Sequence, residues 1–311
     1  MRIAFLNKYQ NKVFRGVETF VYELSNRLSK NHQVDVISKI NYFNILKKKY
    51  DVIIPTNGRL QAVIVRKIAW LTGAKVVISG QSGIGWDEKL NLLTFPNAFV
   101  APSSMTESWA KKFNPFVKVV KIPNGVDLEK FTFKGLPLKV SLRKPIVLAV
   151  GAFTEQKRLD LVIKAVAKLN DVSLLIVGGG GDLKDELSSL GKEMLGDRFE
   201  ITSVPFEEMP EVYRAADVFT LPSMSSEAFG NVLVEAMASG LPVVATSDLI
   251  RKEIVGDAGI LVDPTNIEEY SLSLRKALDT NWGDKPRKQA EKFSWDVITA
   301  KYEKLFEDIN S

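Results

Sequence analysis

Short runs of apolar, largely β-branched residues alternate along the chain with longer stretches whose apolar positions recur every three or four residues. "RIAFL" (2–6), "VDVIS" (34–38), "DVIIP" (51–55), "KVVIS" (75–79) and "AFVAP" (98–102) read as buried strands. Between them, "VETFVYELSNRLSK" (17–30) and "RLQAVIVRKIAWLTG" (59–73) have helical spacing. The pattern restarts with "PIVLAVG" (145–151), "VSLLIVG" (172–178), "FEITS" (199–203), "DVFTLP" (217–222), "PVVATS" (242–247) and "GILVDP" (259–264). Helical stretches such as "LDLVIKAVAKL" (159–169) and "NIEEYSLSLRKAL" (266–278) separate these runs. Near-continuous apolar strands alternating with helices predict parallel sheets covered on both faces. The stretch "FTFKGLPLKVSLRK" (131–144) has no period and reads as a linker between two Rossmann-like domains. Open sheets of this kind bind ligands beyond the carboxyl ends of their strands. The closing amphipathic stretch "WDVITAKYEKLFEDI" (295–309) either caps the second domain or returns to the first.

Composition narrows the chemistry. The 311 residues contain no cysteine, which excludes disulfides and thiolate metal sites. The only histidine, His32, excludes a histidine metal cluster and argues against a Ser-His-Asp triad. No apolar run approaches the ~20 residues of a membrane-spanning helix. The apolar part of "MRIAFLNKYQ" is too short for a secretory signal, so a cytoplasmic protein is expected. The net charge of +5 conceals an asymmetry. Residues 1–140 carry 22 Lys+Arg against 9 Asp+Glu, and residues 141–311 carry 20 against 28. The basic half suits an anionic membrane surface, an anionic substrate or simply a solvated lysine surface. Nucleic acid ranks last, because no aromatic-rich basic motif accompanies the charge.

Glycines mark three turns beside strands or helices: Gly16, Gly151, and Gly178 to Gly181. Each could bring backbone close to a phosphate at a helix N-terminus, or merely form a tight turn. The "GGGGDL" run fails the dinucleotide fingerprint, since the third glycine position is Leu183.

The most informative stretch is "DVFTLPSMSSEAFGNVLVEAMASG" (217–240), read as strand, loop and a helix starting near Gly230. Glu227 falls on the loop and Glu235 about 6 Å inside the helix. An anion held by the amides of Phe229 to Leu233 would have hydroxyl-bearing groups within reach of both carboxylates. A carboxylate suits a vicinal diol because it accepts two hydrogen bonds at once. Spacing alone fits two solvated carboxylates equally well.

This stretch resembles the E-x7-E signature of retaining glycosyltransferases of family 4. "KIPNGVDLEKF" (121–131), "VGAFTEQKRLDLVIKA" (150–165), "MPEVYRAADVFTLPS" (209–223) and "GLPVVATS…EIV…AGILVDP" (240–264) resemble further segments of that family. The final "FSWDVITAKYEKLFE" resembles its closing helix, and similarity covers nearly all of residues 121–311. The resemblance implies a GT-B α/β fold, two Rossmann-like domains facing across a cleft. It sets the acceptor domain at 1–138 plus 296–311 and the donor domain at 143–293. It implies transfer of a hexose from a nucleotide-diphosphate sugar to a hydroxyl, with retention and without a metal or other cofactor. Glu235 would hold the ribose diol and Glu227 the transferred sugar. Ala228, Phe229, Gly230, Asn231, Val232 and Leu233 would surround sugar and diphosphate, with Gly151 and Gly178 in the adjoining turns. Lys157 would neutralise the diphosphate, Gly16 would approach its β-phosphate, and Ser203 and Val204 would meet the base.

Two positions depart from that pattern. Ala152 stands where the family often has an arginine, leaving Arg158 as a candidate second cation, although its neighbouring position points it toward the surface or the linker. "ISGQSGIGW" offers Gln81 and Ser82 where many members have a histidine, with Trp86 a stacking candidate on the acceptor side. The acceptor is expected to be a glycan, a lipid-linked molecule or a small molecule. "NILKKKY" (44–50) and "SWAKKFNPF" (108–116) mix lysines with aromatic and aliphatic residues, as peripheral contact with an anionic membrane would require. A degenerate nucleotide-sugar-binding scaffold and a sugar-nucleotide epimerase are the alternatives. The single histidine counts against the epimerase.

Overall fold

The computed structural model describes residues 1–10, 16–224 and 227–311. The chain divides into two compact units, Met1–Gly125 with Trp295–Ser311, and Val126–Ser294.

In the first unit, β1 (Arg2–Leu6), α1 (Gly16–Leu28), β2 (Gln33–Ile37), α2 (Tyr42–Lys48) and β3 (Val52–Pro55) lead into α3 (Arg59–Thr72). Then come β4 (Lys75–Ser79), α4 (Trp86–Leu93), β5 (Ala98–Ala101), α5 (Ser104–Phe113) and β6 (Val119–Lys121). Among the described residues the strands form one parallel sheet in the order β2-β1-β3-β4-β5-β6. β3 and β5 are buried at every position, as their unbroken apolar runs require. β6 is an edge strand of three residues, too short for the apolar pattern to announce.

The second unit runs β7 (Ile146–Val150), α6 (Leu159–Ala167), β8 (Ser173–Val177), α7 (Lys184–Leu195), β9 (Phe199–Thr202) and α8 (Met209–Ala215). It continues with β10 (Val218–Leu221), α9 (Asn231–Ala238), β11 (Val243–Thr246), α10 (Leu249–Val255), β12 (Gly259–Val262), α11 (Ile267–Asp279) and α12 (Lys285–Glu291). Its strands, again all parallel, lie in the order β12-β11-β10-β7-β8-β9. The central β7 pairs with β8 residue for residue, from Ile146 with Ser173 to Val150 with Val177.

Residues 126–138, expected with the first domain, belong to the second unit. Val126 N–H donates to the Phe293 carbonyl at 2.8 Å. Phe131 is buried and meets the rings of Phe206 and Tyr213 edge-on. Arg287 donates to the carbonyls of Leu128 and Phe131, and Arg214 to those of Thr132 and Leu136. Two arginines thus fasten an irregular strip whose carbonyls have no sheet partner. The closing helix α13 (Trp295–Asn310) lies with the first unit. Its buried Trp295 and Tyr302 pack on Phe20 of α1.

Candidate active site

In the second sheet β7 sits between β8 and β10, so chain connections diverge at the carboxyl ends of β7 and β10. An open α/β sheet forms its ligand crevice at such a point. Gly151 follows β7, and Pro222 and Ser223 follow β10. Lys157 ends the short turn Glu155–Lys157. A Cβ on Gly151 would come within 3.3 Å of the Lys157 side chain, so glycine leaves room for the lysine stem to cross.

Lys157 Nζ lies 2.6 Å from Glu227 Oε1. The other oxygen, Oε2, accepts from the Ser223 hydroxyl and from Arg251 Nη2 at 3.2 Å. Arg251 is fully buried. It also donates to Ser223 Oγ at 2.6 Å, to the Met224 carbonyl at 3.1 Å and to Asp248, whose carboxylate caps α10. Glu227 is therefore clamped on both oxygens. Burial works to raise its pKa, but Lys157, Ser223 and Arg251 outweigh it and hold the carboxyl below its ordinary value.

Glu235 has the opposite environment. It lies one turn into α9, and Oε2 accepts from the Tyr213 hydroxyl at 2.8 Å. Burial pushes its pKa up to about 7, against the Tyr213 hydrogen bond and the Lys130 charge. Tyr213 is itself buried, and its hydroxyl is raised by burial and by the adjacent carboxylate.

Between the two glutamates the chain supplies backbone. Gly230 caps α9 with φ of +90°, a conformation that favours glycine. The Phe229 side chain is buried against the Phe293 ring, so only its main chain could serve a ligand. Leu233 N–H is spent on the Gly230 carbonyl at 2.9 Å, which removes one amide expected at the mouth. Ala228, Asn231 and Val232 are partly exposed on the same turn, whereas Ser225 and Ser226 lie outside the described residues.

The remaining candidates divide. Gly178 is required by packing, since a Cβ there would lie 1.9 Å from the Gly151 carbonyl oxygen. Ser203 follows β9 and donates its hydroxyl to the Gly178 carbonyl, with the partly buried Val204 next in the chain. These residues line up along the carboxyl ends of β7, β8 and β9. Arg158 is partly buried and its guanidinium turns to neighbouring loops. It donates to the carbonyls of Pro222 at 2.8 Å and Ser223 at 3.2 Å and to Thr246 Oγ1 at 3.4 Å, tying the β10 loop to the end of β11. Its backbone is left-handed, with φ of +48°.

Gly16 opens α1 in the first unit, and the preceding residues 11–15 lie outside the described ones. The Gln81 amide is already occupied: it forms a reciprocal pair with Asn124 at 2.8 and 3.0 Å and donates to Ser79 Oγ at 2.9 Å. Ser82 gives its N–H to Glu88 but keeps an exposed side chain, and Trp86 is 76% exposed. Gln81 and Ser82 border an 80 Å³ cavity at the ends of β3 and β4, together with Thr56, Asn57 and Asn91. Glu88, buried beside it, accepts from Asn91 and Ser82 and has its pKa raised by burial. His32 contacts Met1 and Glu303 at the opposite, amino-terminal ends of β1 and β2.

Ser223, Arg251, Asp248 and Tyr213 escaped the sequence reading. Asp248 and Arg251 are spaced as a cap and its third helical residue just after β11, which is the one signal that could have drawn attention to them.

Residues 137–294 match the glycosyl transferases group 1 family. The chain belongs to this family. The matched region contains Lys157, Glu227, Arg251 and Glu235. The chain is 36% identical over 209 residues to the D-inositol 3-phosphate glycosyltransferase of Mycolicibacterium smegmatis, covering 59% of the chain and 47% of the relative. It is 30% identical over 203 residues to the phosphatidyl-myo-inositol mannosyltransferase of the same organism, covering 61% and 52%. The chain spans about half the length of these curated relatives. The crystal structure of Anabaena HepE in complex with UDP and glucose superposes with a TM-score of 0.81 at 17% identity, over 99% of the chain and 100% of that protein. The fold is GT-B.

Proposed function

We propose that the protein transfers a sugar from a nucleoside diphosphate sugar to an acceptor hydroxyl, with retention of anomeric configuration. The observation that carries this reading is the Lys157–Glu227 pair at the β7–β10 crevice, one turn of helix away from Glu235. An ammonium has three donors, so Lys157 can keep Glu227 while meeting a diphosphate. Its charge and the N-terminus of α9 would stabilise the departing phosphate oxygen without a metal. Glu227, held ionised, would accept a hydroxyl of the transferred sugar. Glu235, once ionised, would accept both hydroxyls of the ribose. The bond from C1 to the phosphate oxygen breaks, the acceptor oxygen bonds C1 on the same face, and the acceptor proton passes to the leaving phosphate. HepE, a fold relative, was crystallised with UDP and glucose, which supports a nucleotide-sugar donor. The names of the mycobacterial relatives support an inositol-type or lipid-linked hydroxyl as acceptor.

Thermal shift with UDP, GDP, ADP and their sugars tests the donor site. One nucleotide should raise Tm, and Glu235→Ala should abolish the rise. Indifference to every nucleotide would overturn the reading. A second reading rests on Ala152 and on Arg158 being spent on carbonyls, which leave Lys157 the sole side-chain cation of the three candidates. On that reading the protein binds a nucleotide sugar without transferring it. Radiolabelled donor that is bound but neither transferred nor hydrolysed would favour it.

A further inference from the structure

The first unit carries a second apolar surface that its core does not use. The helices α2, α3, α4 and α5 all cover one face of the sheet, through the inward residues Ile45, Val65, Leu92 and Ala110. A solvated helix normally turns a polar face outward. Here α3 presents Leu60, Val63, Trp70 and Leu71, which are 71, 41, 85 and 69% exposed. The outer face of α4 shows Trp86, Leu90 and Leu93 at helical spacing. Phe43 on α2 and Phe116 after α5 are exposed as well, at 61 and 86%. Contiguous exposed apolar area beyond a few hundred Å² marks an interaction site on a monomer.

The charges on these helices choose the partner. Lys67 sits between Val63 and Trp70 on the α3 stripe, and Lys111 and Lys112 stand exposed on α5. Lys47 lies 4.4 Å from the centroid of the Phe43 ring, and Lys89 lies 5.0 Å from that of Trp86 and 6.0 Å from that of Phe113. The carboxylates of the same helices are occupied: Asp87 pairs with Arg59, Glu107 with Lys111, and Glu88 is buried. Tryptophan, phenylalanine and leucine interleaved with lysine form the surface that settles at the headgroup level of an anionic bilayer. A second copy of the chain fits less well, because a two-fold contact would set the same lysines against each other.

We infer that the outer face of α2–α5 docks the protein on an anionic lipid surface. The inference does not depend on the sugar-transfer reading, and its readout is binding alone. Co-sedimentation is measured with vesicles of phosphatidylcholine and with vesicles that also contain phosphatidylglycerol. The protein should pellet with the anionic vesicles, and less so as salt rises. Trp70→Glu with Leu71→Glu should lower the partition coefficient about tenfold or more. Lys111→Glu with Lys112→Glu, both at solvated positions, should lower it without disturbing the fold. An unchanged circular dichroism spectrum and an unchanged melting transition of the first unit certify each variant as folded. Failure to pellet with anionic vesicles at low salt, or pelleting of both variants as strong as that of the wild type, overturns the proposal. So does self-association of the wild type that Trp70→Glu abolishes, since it would assign the face to a second copy.

Discussion

Glu227 and Glu235 share one loop–helix segment yet are driven in opposite directions, and pH separates their roles. Glu227 has a lowered pKa, so its contribution to stability is present above the ordinary carboxylate value and disappears as pH falls through the folded one. Glu235, raised to about 7, holds its proton in the folded protein over a range where the unfolded chain has released it. Stability therefore declines as pH rises from the ordinary carboxylate value to about 7. Burial of the charged form costs up to about 3 kcal/mol above that window. Glu235→Gln should raise Tm at pH 8 and leave it unchanged at pH 4, as calorimetry would show. Nucleotide affinity of the wild type should increase between pH 6 and pH 8 as the diol acceptor ionises, and should be flat in Glu235→Gln. Arg251→Met strands Glu227 and Asp248 beside an apolar group, and should cost about 3–5 kcal/mol in urea unfolding. Arg251→Lys should recover only part, because one ammonium cannot span the Glu227, Ser223 and Asp248 contacts in a planar fork.

The central strands of both sheets were legible because parallel strands buried on both faces are written as unbroken apolar runs, whereas the half-exposed edge strands β2 and β9 showed only short β-branched runs. β7 and β8 show this most plainly, being buried at all five positions each. The loop ends were legible only in part. Lys157 and the two glutamates could be found by position along the chain, but their mutual contact brings together residues 157, 227 and 251 from three connections. Arg158 illustrates the limit: the sequence offered it as a second cation or a surface residue, whereas its guanidinium donates to the carbonyls of the β10 loop. Residues 131–144, read as a linker, are irregular and group with the second unit, since aperiodic chain can still be fastened by distant arginines. At this scale two neighbouring glycines make a controlled comparison. Gly178→Ala drives a Cβ into the Gly151 carbonyl, whereas nothing stands within 4 Å of a Cβ at Gly179. The first substitution should cost more than about 2 kcal/mol and blunt the nucleotide response, and the second should cost under about 1 kcal/mol.

For the molecule as a whole, each unit has a hydrophobic core built from its own residues. A fragment comprising residues 126–294 should fold alone and keep the nucleotide-induced Tm shift, because every donor candidate except Gly16 lies within it. Deleting residues 295–311 should unfold the first unit selectively, since Trp295, Ile298, Tyr302, Leu305 and Phe306 pack with Phe20 and Leu24 of α1 on one face of the sheet. Two separated calorimetric transitions, of which the deletion abolishes one, would bear this out. A single transition in both proteins would contradict it.

The path of the chain also sets a timetable. The second unit is continuous in sequence and can close as soon as it leaves the ribosome, whereas the first waits for α13. About 170 residues separate Gly125 from Trp295, so translation leaves the Phe20 face uncovered for roughly 10–30 s. During that interval the half-built first unit is a natural client for a chaperone, and the unit begun first is the one finished last.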